Sequence, residues 1–168
     1  MKTPVPIYAF STFRTPIGDF SVAVDSKANL VAAVFGGRAA IRSRLRDGTL
    51  AKDPSLTREA ESQLSAWFAG KRRSFTLPLA PSGSRFQRRV WSALRSIPYG
   101  QTSSYGAVAR TLRTSARAVG RANATNPVCV VVPCHRVIGA DGSLTGYAFG
   151  EATKRALLDL EAPKVRQI

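Results

Sequence analysis

A continuous apolar run at residues 128–132 leads directly into the sequence Pro133-Cys134-His135-Arg136. A short run rich in β-branched residues is typical of a buried strand. The pattern therefore predicts a rigid, buried element that delivers a thiol next to the only histidine of the chain. A nucleophilic cysteine must be ionised when it attacks, and a nearby base or positive charge is the usual cause. Adjacency alone is explained equally well by an unreactive core cysteine beside a hydrogen-bonded histidine.

The chain carries a large excess of positive charge. Its 168 residues include 25 Lys and Arg against 10 Asp and Glu, which gives a formal net charge of +15. Such an excess is the electrostatic signature of a nucleic-acid-binding protein. No apolar run approaches the length of a membrane span, and the first ten residues contain no secretory signal. We therefore expect a cytoplasmic protein that does not enter the membrane.

The two cysteines, Cys129 and Cys134, flank the predicted strand. An extended segment of this length holds them too far apart for a disulfide, which favours an intracellular protein. Two cysteines and one histidine do not complete an ordinary structural zinc site, so we expect no metal. Cys129 has no base near it in the sequence, and a structural role is the simpler interpretation of that residue.

Residues 1–80 predict a small α+β domain with a structural role. Three segments with alternating or β-branched residues are separated by turn signals, a pattern that predicts three strands in an antiparallel meander. Two helices follow, and the second carries apolar side chains at helical spacing. The strands are expected at 8–14, 20–24 and 30–34, and the helices at 38–46 and from 55 to the glycine at 70.

Residues 81–168 predict a second, mainly helical domain. Helices are expected at 85–97, from the capping residues 102–104 to Leu112, at 116–124 and at 151–161. The second and third are short and joined by a tight turn, and the third carries Arg117 and Arg121. This pattern fits a helix-turn-helix or an ordinary helical hairpin, and the net charge favours DNA binding. An Asp141-Gly142 pair between apolar runs predicts a β-hairpin.

Residues 83–161 resemble the O6-alkylguanine-DNA alkyltransferases, which repair alkylated DNA by moving the alkyl group onto their own cysteine. The matching segments occur in the family's order and spacing: Phe86-Gln87, Val90-Trp91, 97–100, Ser104-Tyr105, 117–120, Asn126-Pro127, 133–137, Gly146-Tyr147 and Lys154. Residues 1–80 resemble more loosely the family's leading domain, a ribonuclease H-like α+β unit without nuclease activity. The resemblance implies duplex DNA containing O6-alkylguanine as the partner, no cofactor, no obligatory protein partner and a monomer.

The resemblance also implies catalytic roles. Cys134 would accept the alkyl group, and His135 would act as the base through a water molecule. Glu161 would orient His135, although Glu151 and Asp159 are rival carboxylates that spacing alone does not exclude. Two further residues complete this set: Asn126, which would fix the turn that holds the recognition helix against the cysteine strand, and Tyr105, which would donate toward the purine N3.

DNA-binding and pocket residues follow from the same resemblance. Arg117 would enter the base stack where the nucleotide leaves, and Tyr105 would help to rotate the phosphate of that nucleotide. The other DNA-contacting residues are expected to be Ala118, Arg121 and Ser104. The guanine pocket is expected to contain Tyr147, Ala148, Val137 and Cys129. Cys129 stands where human-type members have a pocket-wall proline, and Phe149 stands where many members have glycine.

Other functions are open to a chain of this kind. One is a non-catalytic protein that flips alkylguanine and only flags it, but that class lacks the cysteine. Another is a transcription regulator, which in this family carries an additional zinc-binding domain that the two cysteines cannot supply. The third is a cysteine hydrolase, which would turn over repeatedly and would not need a helix-turn-helix.

Overall fold

A computed structural model describes residues 1–144 and 146–163 of the chain. The chain forms two compact units. The first consists of Met1–Ser84 with Pro127–Val131, and the second of Arg85–Asn126 with Val132–Ile168. The expected α+β class is confirmed, with a sheet in the first unit and mainly helices in the second. Within the described residues, every helix is too short or too polar to cross a membrane.

The first unit is built on a four-stranded sheet. Its strands are β1 (Ile7–Thr15), β2 (Gly18–Val24), β3 (Leu30–Phe35) and β4 (Thr49–Ala51), in the order β3-β2-β1-β4. Strands β1 to β3 pair antiparallel, so the predicted meander is confirmed. Strand β4 pairs parallel with β1 over three residues. A strand of three residues is too short to show an alternating pattern, so the sequence did not predict β4.

Two helices, α1 (Arg38–Ser43) and α2 (Pro54–Phe68), complete the first unit. Helix α2 begins after Asp53, whose carboxylate accepts a hydrogen bond from the backbone N–H of Ser55, with Pro54 at the first helical position. Its apolar face is buried, and the ring centroids of Phe68 and Phe20 lie 5.3 Å apart. The aromatic residues of α2 thus form core, as their spacing predicts.

In its described residues, the second unit contains four α-helices, one turn of 3₁₀ helix and a two-stranded parallel ladder. The helices are α3 (Arg85–Arg95), α4 (Tyr105–Leu112), α5 (Ala116–Ala124) and α6 (Glu151–Glu161), and the strands are β5 (Ser103–Ser104) and β6 (Val137–Ile138). The indole N–H of Trp91 donates to the carbonyl of Ala122 at 2.8 Å, which fixes α3 against α5. All four helices lie where the sequence predicts them, except that α3 ends two residues early.

The strand predicted at residues 128–132 is wrong. Val128 forms an isolated bridge with Ala33, and the chain then turns at Val130, whose φ is +73°. The N–H of Val131 donates to the carbonyl of Cys129 at 2.9 Å, which closes a γ-turn. These residues are buried, which accounts for their apolar composition. An apolar run reports burial but does not distinguish a strand from a buried turn.

The hairpin predicted at Asp141-Gly142 is also wrong. The pair does lie in a turn, because the N–H of Gly142 donates to the carbonyl of Gly139 at 2.9 Å. The N–H of Gly139 donates to the carbonyl of Ser143 at 2.9 Å across the turn, but no strand follows it among the described residues, and strand β6, which precedes it, pairs parallel with β5. The sequence therefore predicted the tight turn, but it did not predict that β6 pairs with β5.

Candidate active site

The thiol lies on a single turn of 3₁₀ helix, Cys134–Arg136, rather than at the end of a strand. Pro133 precedes this turn, and the N–H of Cys134 donates back to the carbonyl of Val132 at 2.8 Å. All three side chains of the turn are buried. The thiol of Cys134 lies 3.8 Å from the hydroxyl of Tyr147. His135 and Arg136 contact a different group, the carboxylate of Glu161.

Glu161, the last residue of α6, is the centre of a buried hydrogen-bond network. Its Oε1 lies 2.9 Å from Nε2 of His135, and the guanidinium of Arg136 donates to both carboxylate oxygens at 2.7 to 3.1 Å. The backbone N–H of Gly100 donates to Oε2 at 3.2 Å. Of the three carboxylates that the sequence left open, Glu161 is the one that contacts His135, while Glu151 and Asp159 are exposed.

The charge state of Glu161 follows from these contacts. Burial alone would raise the pKa of its carboxyl group, because a charged form is disfavoured away from water. Hydrogen bonds from His135 and Arg136, together with their charges, outweigh burial and lower the pKa from 4.5 to about 2. Glu161 is therefore a carboxylate at neutral pH, and Arg136 and His135 share it.

Asn126 fixes the chain just before the thiol. Its side-chain Nδ2 donates to the carbonyl of Val132 at 2.9 Å, and the residue is only 1% exposed. This bond spans the turns at residues 127–131 and brings their two ends together. The bond ties the chain after α5 to the residue before Pro133, and the role of Asn126 in the reaction stays a prediction.

Lys154 is a residue of this site that the sequence analysis did not assign. It is completely buried on α6, and its ammonium group donates to the carbonyl of Val137. Its Nζ lies 5.8 Å from the ring centroid of Tyr105 and 5.5 Å from that of Tyr147. Burial lowers the pKa of Lys154, and the negative charge of an ionised Cys134 raises it. The ammonium group is thus placed to favour a thiolate at Cys134.

The pattern of buried positions along α6 could have revealed Lys154 from the sequence. The buried positions of the helix are Lys154, Leu157 and Glu161, which follow the spacing of a core-facing surface. A lysine on such a stripe is seldom buried without a partner, and its presence signals a site. Arg136 was also left out of the predicted set, although it stands beside the cysteine and histidine in the sequence.

Helices α4 and α5 form a helical pair joined by residues 113–115. The hydroxyl of Ser104 caps α4 by accepting from the N–H of Ala107 at 3.0 Å, and Ser115 caps α5 by accepting from Ala118 at 3.1 Å. Arg117 and Arg121 are exposed and lie four residues apart, so they share one face of α5. The pair presents positive charge on a short helix, as a helix-turn-helix does.

The expected pocket residues do not all fall in one place. Tyr147 and Val137 are both buried. The hydroxyl of Tyr147 lies beside the thiol of Cys134, and the carbonyl of Val137 accepts from the ammonium group of Lys154. Ala148 follows Tyr147 and is exposed. Cys129 belongs to the segment of the first unit, where its N–H donates to the carbonyl of Ala33 at 2.8 Å. A pocket role for Cys129 stays a prediction.

A buried thiol, a histidine–carboxylate pair and a helical pair with exposed arginines define a class of protein: a DNA-binding protein that acts through a cysteine nucleophile.

Comparison with known proteins specifies the family. Residues 85–163 match the 6-O-methylguanine DNA methyltransferase, DNA binding domain, and residues 8–81 match the ribonuclease-like domain of the same methyltransferase. The methylated-DNA–protein-cysteine methyltransferase of Methanosarcina acetivorans is 43% identical over 154 residues, 90% of this chain and 97% of that protein. The one from Mycolicibacterium paratuberculosis is 46% identical over 149 residues, 82% and 89% of the two chains.

A solved structure shows the same fold. The crystal structure of Mycobacterium tuberculosis OGT in complex with DNA superposes with a TM-score of 0.81, at 42% identity over 93% of this chain and 96% of that one. The chain therefore belongs to the 6-O-methylguanine DNA methyltransferase family.

The hydrogen bonds of Glu161 should make the free energy of unfolding depend on pH. The pKa of Glu161 is lower in the folded chain than its ordinary value, so its contribution to stability is present above pH 4.5 and is lost as the pH falls toward 2. A shift of this size corresponds to about 3 kcal/mol. Urea unfolding from pH 7 to pH 2 should show Glu161→Gln less stable at neutral pH, with the difference from wild type vanishing near pH 2.

Glu151→Gln is the matched control, because Glu151 lies on the same helix and is exposed. This variant should follow the wild-type curve. A constant difference between wild type and Glu161→Gln across the whole pH range would contradict the assigned charge state of Glu161.

Proposed function

We propose that the chain is a DNA repair protein that takes O6-alkylguanine, mainly O6-methylguanine, out of duplex DNA and transfers the alkyl group to its own Cys134. In enzymatic terms it is a methylated-DNA–[protein]-cysteine S-methyltransferase that acts once. The observation that carries the proposal is the buried thiol of Cys134, which lies 3.8 Å from the hydroxyl of Tyr147 and on the same 3₁₀ turn as the histidine of the His135–Glu161 pair. We assign this chemistry and DNA binding to residues 81–168, and a structural role to residues 1–80.

The reaction is a displacement at the alkyl carbon. The thiolate of Cys134 forms a bond to that carbon, and the bond from the carbon to guanine O6 breaks, with its electron pair passing to the purine. His135 takes the thiol proton, and Tyr105 gives a proton to the purine. The thioether product is stable, and neither cysteine of the chain is placed to remove the alkyl group. One protein molecule is therefore consumed for each lesion.

The network assigns the two nitrogens of His135 different tasks. Nε2 is engaged by Glu161, so we propose that Nδ1 takes the proton of Cys134 through a water molecule. Arg136 holds Glu161 charged and in place, which fixes the ring of His135. This is the nucleophile–base–orienter arrangement of covalent catalysis.

DNA binding is expected to combine charge with base flipping. The alkyl carbon is inaccessible in a stacked duplex, so the nucleotide must leave the stack before the thiol can reach it. We propose that α5 enters the minor groove and that Arg117 fills the gap. The contacts of Arg121, Ala118 and Ser104 would hold the backbone on either side. Minor-groove contacts are largely independent of sequence, which suits a protein that searches for damage.

We also propose that the protein is a monomer and that it is located in the cytoplasm.

The cysteine assignment is tested with a matched pair of variants. Cys134→Ser should lose methyl transfer from a duplex containing one O6-methylguanine, measured by chromatography of the digested DNA, and should keep its affinity for that duplex. Cys129→Ser should keep methyl transfer, because Cys129 is assigned no part in the bond-forming step and serine is close to cysteine in size. Retained transfer in Cys134→Ser, or its loss in Cys129→Ser, would contradict the proposal.

Arg117 is tested separately in a Cys134→Ser background, where the lesion is not consumed. Arg117→Ala should weaken binding to the O6-methylguanine duplex by roughly tenfold and affect the undamaged duplex less, because only the lesion duplex is held with a base flipped out. Fluorescence anisotropy gives both affinities, and a 2-aminopurine beside the lesion reports flipping. Arg14→Ala, which removes the same charge from an exposed position of β1, is the control. Equal losses on both duplexes would reduce Arg117 to a phosphate contact.

A further inference from the structure

Asn123 is a buried amide that the proposed reaction does not yet use. It lies on α5, is 6% exposed, and has the apolar residues Val119 and Ala122 as its buried neighbours on the helix. Its Nδ2 donates to the carbonyl of Cys134, at 3.4 Å. Its Oδ1 is buried without a hydrogen-bond partner among the described residues. An apolar side chain would avoid that cost, so the use of an amide here points to its NH₂ group.

Tyr105 lies against the same face of α5. A methyl group on Gly120 would stand 3.9 Å from two carbons of the Tyr105 ring. Gly120 and Asn123 are three residues apart and so are neighbours on the helix surface. Burial and the charge of Cys134 raise the pKa of Tyr105, and a hydrogen bond from the side chain of Asn123 lowers it. The amide of Asn123 is thus situated between the nucleophilic residue and the tyrosine.

We propose that Asn123 is a positioning residue whose NH₂ group gives one hydrogen to the carbonyl of Cys134 and the other to the hydroxyl oxygen of Tyr105. A tyrosine oxygen that accepts from Asn123 keeps its own proton for the purine. When the bond from the alkyl carbon to O6 breaks, negative charge develops on the purine, and the Tyr105 proton moves toward N3. The tyrosine oxygen then gains negative charge, which the Asn123 N–H stabilises. This inference rests on the proposed function, and in particular on the role of Tyr105.

The experiment compares two substrates that differ by one acceptor atom. One is a duplex with O6-methylguanine, and the other is the same duplex with 3-deaza-O6-methylguanine, in which a C–H replaces N3. Rate constants for methyl transfer are measured in single turnover at saturating protein, together with the dissociation constants. Tyr105→Phe is the reference variant, because it removes the proton donor itself.

Asn123→Leu should slow transfer from O6-methylguanine by about tenfold, less than the hundredfold or more that loss of a general acid can cause. On the 3-deaza duplex, Asn123→Leu should lose much less of the wild-type rate, because the tyrosine proton has no acceptor there and only the bond to the carbonyl of Cys134 is missing. Asn123→Asp keeps the shape of the side chain but has no N–H donor, and it should behave like Asn123→Leu. Dissociation constants should stay unchanged in the two Asn123 variants.

Val119→Ala is the control for packing, since Val119 is buried on the same helix. Any slowing in this variant should be equal on the two substrates. An equal loss for Asn123→Leu and Asn123→Asp on both substrates, with Tyr105→Phe still sensitive to N3, would overturn the role of Asn123 alone. A Tyr105→Phe variant insensitive to N3 would overturn the role of Tyr105 and this inference with it. A wild type that transfers no methyl group from either duplex would overturn the proposed function.

Discussion

The carboxylate of Glu161 is the contact on which the rest of the site depends. It joins three segments of the second unit: the end of α6, the turn that carries the thiol, and the loop at Gly100. A buried charge of this kind is stable only when it is fully hydrogen-bonded, and Arg136 supplies most of those bonds. Arg136 also donates to the carbonyl of Ile97 at 2.7 Å, which anchors the network to the chain that follows α3.

A second set of polar groups lies around the residue that carries the thiol: the hydroxyl of Tyr147 is 3.8 Å from the thiol, and the amide of Asn123 donates to the carbonyl of Cys134. The ammonium group of Lys154 lies 5.5 Å from the ring of Tyr147 and 5.8 Å from that of Tyr105. Interactions among such groups are strong because little water screens them. A replacement of these residues by apolar ones would often stabilise a protein, so their presence indicates chemistry rather than folding. A protein that acts once per lesion requires no second thiol to regenerate it.

Much of this arrangement could be predicted from the sequence. The caps Ser104 and Ser115, with apolar residues at helical spacing after them, located α4 and α5. The cysteine and histidine were evident because they adjoin, whereas Glu161 rested on family resemblance, since three carboxylates lay within reach. The turns at residues 128–133 could not be predicted, because burial alone explains an apolar run and positive φ at a valine leaves no signature. Arg136 and Asn123 were missed because their importance comes from contacts between separate segments, whereas a lysine on the apolar stripe of α6 was a signal that could have been used.

The most direct test of the proposed function is the mass of the intact protein after incubation with a duplex that carries one O6-methylguanine, followed by peptide mapping. The account predicts the addition of one methyl group per protein molecule, located on Cys134, with one lesion repaired for each protein consumed. An unchanged protein mass together with tight binding to the lesion duplex would contradict it, and would indicate a protein that recognises alkylguanine without accepting the alkyl group.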